Sequence, residues 1–499
     1  MKKTLAVFLF FFSLYLLTAQ GSIQTSDGMS MYLLTRSIAE EGTFSIESER
    51  IDIVSRGREG RYFSKYGVGQ PLCAVPLYWA GMVGANRAGI PERFATLFTV
   101  SLFNSVVSSL VCVILFLCAL EIGLTQRIAL FLSCAYGIST TAWHYSQDFM
   151  SEPLTALLLI AAFYLVLRAT SGSQKWYLFA GSAVGYALLV RPASLIVLPC
   201  FLMYIFLKER MRRGTVLKST LYFSGAVTPF LCGVFFYNFY RFGSFAEMGY
   251  ASHGFTTPLL VGLVGHLFTP GKSIFLYNPI LIIAVIGWYD FVKVKPYEAF
   301  LVALVFLAHL LLYSKWDVWM GGMCWGSRFL LVTFPCLMLS SGFLLSKRGR
   351  MWWRIAVVLV GIGFLMQLPA LTVNISRYHY TLRVAYGDQM MDRLIYSSYD
   401  SPLVGQWGEV TKVVKNLRNP DYLNALVDQA KGQKKFTGER DEEILANALA
   451  LNAPNFWWCY LYLFGFPFWC AFGIPILLMS MALWLGFAMC KTVNSYKKG

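Results

Sequence analysis

Charge is what this sequence has least of. Only 14% of its 499 residues are Asp, Glu, Lys or Arg, against roughly 25% in an ordinary soluble domain. With 57% hydrophobic and 16% aromatic residues and a mean hydropathy of +0.55, the shortage excludes a disordered chain, a fibrous chain and a soluble enzyme of normal make-up. A disulfide or zinc framework is also missing. The eleven cysteines include no CxxC pair, and most lie inside apolar runs, where they read as small hydrophobes. There is no Walker loop, GxGxxG after a strand, HExxH or GxSxG. ATPase, dehydrogenase, metalloprotease and α/β-hydrolase chemistry are therefore unsupported.

What is present is a succession of apolar runs near 20 residues. Such runs cross membranes as helices, because a bilayer offers no partner to open backbone groups. A β-barrel would show short alternating segments instead. The pattern predicts an all-α polytopic membrane protein with twelve spans, near 4–20, 94–119, 128–145, 153–168, 175–191, 193–207, 217–238, 274–291, 297–313, 328–345, 352–369 and 468–490. Residues 1–21 read as the first span, not as a cleaved leader. Alternate connecting segments hold 19 of the 42 Lys and Arg but only four of the 26 acids, Glu121, Glu209, Asp290 and Glu298. By the positive-inside rule those segments face the cytoplasm, with both termini. The net charge of +16 is then an orientation signal, and no nucleic-acid partner is expected.

The outer side receives the longer segments. Residues 21–93 include an apolar stretch from Gln70 to Gly84, interrupted by Pro71 and Pro76, which suits an interfacial helix. Residues 370–455 form a polar, mainly helical region with a helical pattern over 421–451, and 456–499 hold an aromatic interfacial segment and the last span. The expected division is a transmembrane catalytic part over 1–369, an outer region of unknown role over 370–455, and the closing segment 456–499.

Ionisable residues near the bilayer midplane would point to transport. Here they gather at the outer ends of spans. Asp27 follows span one; its alternative is a helix N-cap formed by Ser26 or Asp27. Lys65 and Tyr66 precede the interfacial stretch, where a lysine can reach a lipid phosphate or simply anchor. His144, Asp148 and Glu152 share one tight loop. Arg191 precedes Pro192 between two apolar spans, a costly place for an unpaired charge. Arg241 and then Glu247 and Tyr250 follow span seven. Asp317, Trp325 and Arg328 flank a glycine-rich turn, Gly321 to Gly326, whose tryptophans suit sugar stacking or the interface. Acids suit deprotonation of an alcohol. Cations suit a departing phosphate. Together they describe glycosyl transfer from a lipid phosphate; a glycosidase would need only two carboxylates. A flippase of lipid-linked sugars and an O-antigen ligase or polymerase are the alternatives.

In the order of Asp27, the Lys65 to Pro76 stretch, Asp148 or Glu152, and Arg191-Pro192, the chain resembles the GT-C superfamily of polytopic glycosyltransferases. That group includes protein O-mannosyltransferases and the aminoarabinose transferases of lipid A. The resemblance implies inverting transfer from a polyprenyl-phosphate sugar to a glycan, lipid or protein hydroxyl, at the outer face of the cytoplasmic membrane. It implies Asp27 as the base, and Lys65, Arg191, Arg328 and Arg241 around the donor phosphate. Asp148, Glu152, His144, Tyr66, Asp317 and Trp325 would shape the sugar or acceptor pocket. Many members carry two adjacent acids after span one, whereas Gly28 follows Asp27 here, so neither a metal nor another cofactor is expected.

Overall fold

The computed structural model describes residues 2–47, 53–210, 215–250, 253–419, 421–422, 425, 452–463 and 466–495. The pattern expected over 421–451 lies, beyond its first few residues, outside them. The chain is an all-helical bundle with one two-stranded hairpin, Ser55–Arg56 against Tyr62–Phe63, among the described residues.

Among the described residues, eight helices are long and apolar enough to cross a membrane: Glu92–Glu121, Ser151–Ser171, Pro192–Glu209, Thr215–Phe242, Pro296–Lys315, Arg328–Lys347, Arg350–Thr372 and Phe468–Met489. Each lies on one of the twelve expected spans. The other four expectations fall on shorter helices, Lys2–Thr18, Gln126–Ser139, Trp176–Val190 and Leu281–Val294. At 1.5 Å per residue a 14-residue helix reaches about 21 Å, less than a hydrocarbon core of about 30 Å. Local causes are visible. Thr140 leaves Gln126–Ser139 with extended backbone (φ −121°, ψ 168°). Asn278 interrupts the run 274–291 at φ −138°, ψ 70°, as the residue before Pro279 is pushed to do.

The bundle is closed by small residues. A Cβ on Gly181 would stand 2.2 Å from the Phe223 carbonyl oxygen, and one on Gly287 2.3 Å from that of Ser340. These contacts let neighbouring helices pack backbone to backbone, as in membranes generally. The core runs through Phe11, Tyr15, Phe116, Tyr136 and Phe334.

The C-terminal aromatic segment does more than mark an interface. Trp457 Nε1 donates to the Leu16 carbonyl (2.8 Å) and Trp458 Nε1 to that of Leu17 (2.9 Å), while the Trp457 backbone N–H reaches Ala19 (3.0 Å). The end of the first helix thus has its orphan carbonyls satisfied from the far end of the chain. Three further helices, Ile375–Tyr386, Met390–Tyr396 and Pro402–Leu417, pack on one another, and the last packs on Arg350–Thr372. Gln406 ties them down by donating to the carbonyls of Pro369 and Val373.

Candidate active site

The segment after the first helix supplies the first acid. Helix Ser26–Glu41 is capped by Thr25, whose hydroxyl accepts from the Gly28 N–H at 3.2 Å. Capping is therefore not the work of Asp27. Its carboxylate is instead held by Arg328, with Oδ2 2.8 Å from Nη1. The two residues lie 301 positions apart.

Arg328 opens the helical segment after the glycine-rich turn. Gly321, Gly322 and Gly326 all have positive φ (72°, 74° and 63°), a conformation that L side chains resist. Lys272, fully buried, fixes this turn by donating to the carbonyls of Gly322 (3.0 Å) and Cys324 (2.8 Å). From Arg328 the charges continue. Its Nε is 3.7 Å from Glu152 Oε1, which lies 2.5 Å from Arg191 Nη1. Acid and base thus alternate as Asp27, Arg328, Glu152 and Arg191. Arg191 also donates to the Tyr313 hydroxyl (3.1 Å) and the Ser151 hydroxyl (3.3 Å). Tyr313 stacks on Phe329 at 4.3 Å between ring centroids, and both arginines lie near the Phe329 ring. Exposure is least in the middle of the row: the Glu152 side chain is 3% exposed, against 12% for Arg328, 16% for Arg191 and 19% for Asp27.

Lys65 and Tyr66 reach the same place because Gly67 and Gly69 allow it. A Cβ on Gly67 would stand 2.2 Å from the Leu189 carbonyl, and one on Gly69 2.8 Å from Val190 N. The loop therefore lies against the helix end that presents Arg191. Lys65 Nζ is 5.4 Å from the centroid of the Tyr66 ring, and no carboxylate lies within ion-pair distance of it among the described residues. Burial pushes the Asp27 carboxyl upward, but the Arg328 ion pair, the Tyr66 hydroxyl donating to it and the nearby Lys65 outweigh that and hold it below the usual carboxylate range. Asp27 is ionised at neutral pH.

Asp148 approaches from the opposite side. A Cβ on Gly28 would come within 3.2 Å of its Oδ1. Asn104 holds this loop by donating to the carbonyls of Asp148 and Met150. Burial raises the Asp148 carboxyl to about 6, opposed by hydrogen bonds from the Thr25 side chain and the Phe149 N–H, and reinforced by the charges of Asp27 and Glu152.

Four expected residues lie apart from this row. Arg241, 2% exposed, donates to the Ser64 carbonyl (2.6 Å) and Asn238 Oδ1 (2.7 Å), with its guanidinium 3.9 Å from the centroid of the Tyr237 ring. It braces the loop that carries Lys65, and its fork is not open to a phosphate. Trp325 is 0% exposed and donates to Gln367 Oε1 (3.1 Å), so it offers no face to a sugar. His144 bonds the Ala370 carbonyl (3.2 Å) and adjoins Trp325. Asp317 pairs with His253 (3.0 Å) and accepts from the Val318 N–H. The sequence reading left Tyr313, Asn104 and Lys272 unmarked. The polar Asn104 and Lys272 stand out in apolar surroundings, but nothing in the sequence tells what they hold.

Residues 94–236 match the family model of the dolichyl-phosphate-mannose-protein mannosyltransferases. That segment contains Asn104, Asp148, Glu152 and Arg191, and the match bears out the GT-C resemblance over it. No curated protein matches the chain in sequence. Among solved structures, similarity extends to ArnT from Cupriavidus metallidurans in the apo state (TM-score 0.46, 12% identity, 97% of this chain and 75% of that one). The same protein bound to undecaprenyl phosphate gives 0.45 and 13% over 98% and 77%. Archaeal oligosaccharyltransferase AglB from Archaeoglobus fulgidus, in complex with an inhibitory peptide and a dolichol-phosphate, gives 0.49 and 12% over 96% and 63%.

Proposed function

We propose that this chain is an inverting membrane glycosyltransferase acting at the outer face of the cytoplasmic membrane. It moves a sugar from a polyprenyl-phosphate donor to an acceptor hydroxyl on a glycan, lipid or protein. The observation that carries the reading is the Asp27–Arg328 pair at one end of a largely buried row of charges, with Lys65 alongside. A lone acid and a lone cation are common. An ionised acid beside cations is what phosphate departure and alcohol deprotonation require together.

In this mechanism the donor phosphate takes its charge partners from Lys65 and Arg328. Arg328 Nε, 3.7 Å from Glu152 Oε1, makes no hydrogen bond among the described residues, so the guanidinium can turn toward the phosphate. Asp27, relieved of its partner, accepts the acceptor's hydroxyl proton. The acceptor oxygen bonds to the anomeric carbon as the bond from that carbon to the phosphate oxygen breaks. One displacement inverts the anomeric centre, and polyprenyl phosphate leaves with an added negative charge. Glu152 is a positioning residue for both arginines. Asp148 and Tyr66 border the space for the sugar or acceptor.

The test is to incubate purified protein with a panel of polyprenyl-phosphate sugars and an acceptor extract. Release of free polyprenyl phosphate with a glycosylated product supports the reading. Movement of the intact donor across vesicles without release would make the chain a flippase.

A further inference from the structure

A second polar site lies at the other end of the bundle. Helix Ser151–Ser171 begins beside Asp27's partners and ends there, about 30 Å away at 1.5 Å per residue. A cavity of about 210 Å³ is lined by Glu121, Glu209, Glu298, Lys208, Lys295 and Ser171, among others. Both oxygens of Glu121 have partners, Ser171 and Arg168, but Glu209 and Glu298 are only half satisfied. Tyr177 donates to Glu209 Oε1 (2.9 Å), while Tyr204 (3.3 Å) and Lys208 (2.7 Å) reach Glu298 Oε1. The second oxygen of each, Oε2, is buried without a hydrogen-bond partner among the described residues. Glu209 is 1% exposed and Glu298 4%.

Glu209 is the more telling of the two. It has no ion-pair partner among the described residues, and it is the last residue of helix Val197–Glu209, where the helix dipole disfavours an anion. A buried carboxylate left this way is costly. An ammonium group, with three donors on one small cation, can bridge two such oxygens. On the same cavity stands Lys295, partly buried and likewise without an ion pair among the described residues. It offers a positive counterpart to an anion. The neighbouring helix surfaces are apolar and exposed at Phe206, Val294 and Phe300.

We infer that this cavity binds the headgroup of an aminophospholipid. Its primary ammonium bridges Glu209 and Glu298, its phosphate faces Lys295, and its acyl chains lie along the exposed apolar surface. The chemistry recognised is a primary amine two carbons from a phosphate. A membrane lipid and a free phosphoethanolamine share it.

Native mass spectrometry of the full, delipidated chain with equimolar phosphatidylethanolamine, phosphatidylcholine and phosphatidylglycerol tests this. The expected result is at least tenfold preference for the ethanolamine lipid, since choline's quaternary ammonium donates no N–H bond. Glu209→Gln with Glu298→Gln should erase the preference, and Lys295→Ala at the rim should lower it several-fold. If free phosphoethanolamine at millimolar concentration displaces the lipid, the headgroup alone suffices; if it does not, the membrane lipid is the ligand. Equal retention of the three lipids by the native protein overturns the proposal, as does a preference unchanged in folded variants. Should the double variant fail to fold, the native comparison and Lys295→Ala decide.

Discussion

The two ends of the bundle use charge differently. At the Asp27 end, acids and arginines alternate in one buried row, joined by residues from four distant segments. At the other end the pairs are separate and several are wet. Arg348 meets Asp290 at 3.1 Å with 40% of its side chain exposed, and Arg168 meets Glu121 at 3.5 Å with 44% exposed. A row of buried charges has little value as fold stabilisation, because desolvation offsets the attraction. Its persistence makes sense where a ligand is to be held. The exposed pairs need no ligand, and water serves them.

Removing one member from each end should give the largest contrast. Arg328→Met strands Asp27 and Glu152, so it should cost roughly 3–5 kcal/mol of stability and lower kcat/KM by roughly two to three orders of magnitude. Arg348→Met leaves Asp290, 9% exposed, with Lys347 still 3.9 Å away, so it should cost about 1 kcal/mol and leave turnover intact. Thermal melts and donor turnover on both variants check this; equal losses would erase the distinction.

A smaller effect comes from crowding at the first acid. In Gly28→Ala the new Cβ would meet the Thr25 hydroxyl oxygen at 2.8 Å, Ile23 at 2.9 Å and Asp148 Oδ1 at 3.2 Å. A misplacement near 1 Å can cost about 100-fold, and a drop of roughly tenfold in kcat is expected with most stability kept. Unchanged turnover would show that Asp148 need not approach so closely.

The third prediction separates the two acids by pH. Asp148's carboxyl is raised to about 6. Between roughly pH 4, the unfolded value, and pH 6, the folded protein holds a proton that the unfolded chain has lost. Its contribution to stability therefore falls as pH rises through that window. Asp27's carboxyl is lowered, so its contribution is present above the unfolded value and is lost as pH falls below it. Asp148→Asn should flatten the melting temperature between pH 4 and 6, whereas Asp27→Asn should not. Trp325→Phe should act on stability alone. It deletes one bond to Gln367, should cost about 1–2 kcal/mol, and should spare the donor KM.

How far the sequence carried this picture depends on the kind of residue. Eight spans were legible because length and hydropathy are local properties. The four shorter helices were not separated from them, since the breaks at Thr140 and Asn278 are single-residue backbone events inside apolar runs. Asp27, Arg191 and Arg328 stood out because any charge does in so apolar a chain. Which charge faces which was hidden. Asp27 and Arg328 meet only through the fold, and Arg241 turns inward because the Ser64 carbonyl and Asn238 happen to lie there. The cap falls on Thr25, ahead of both alternatives, Ser26 and Asp27, and that leaves Asp27 free to pair with Arg328.

The most direct measurement is single-turnover transfer by Asp27→Asn beside the native protein, with donor affinity measured on both. The account predicts transfer reduced at least 100-fold, donor binding within a few-fold of native, and binding that weakens strongly in Lys65→Met. Near-native transfer by Asp27→Asn would contradict it.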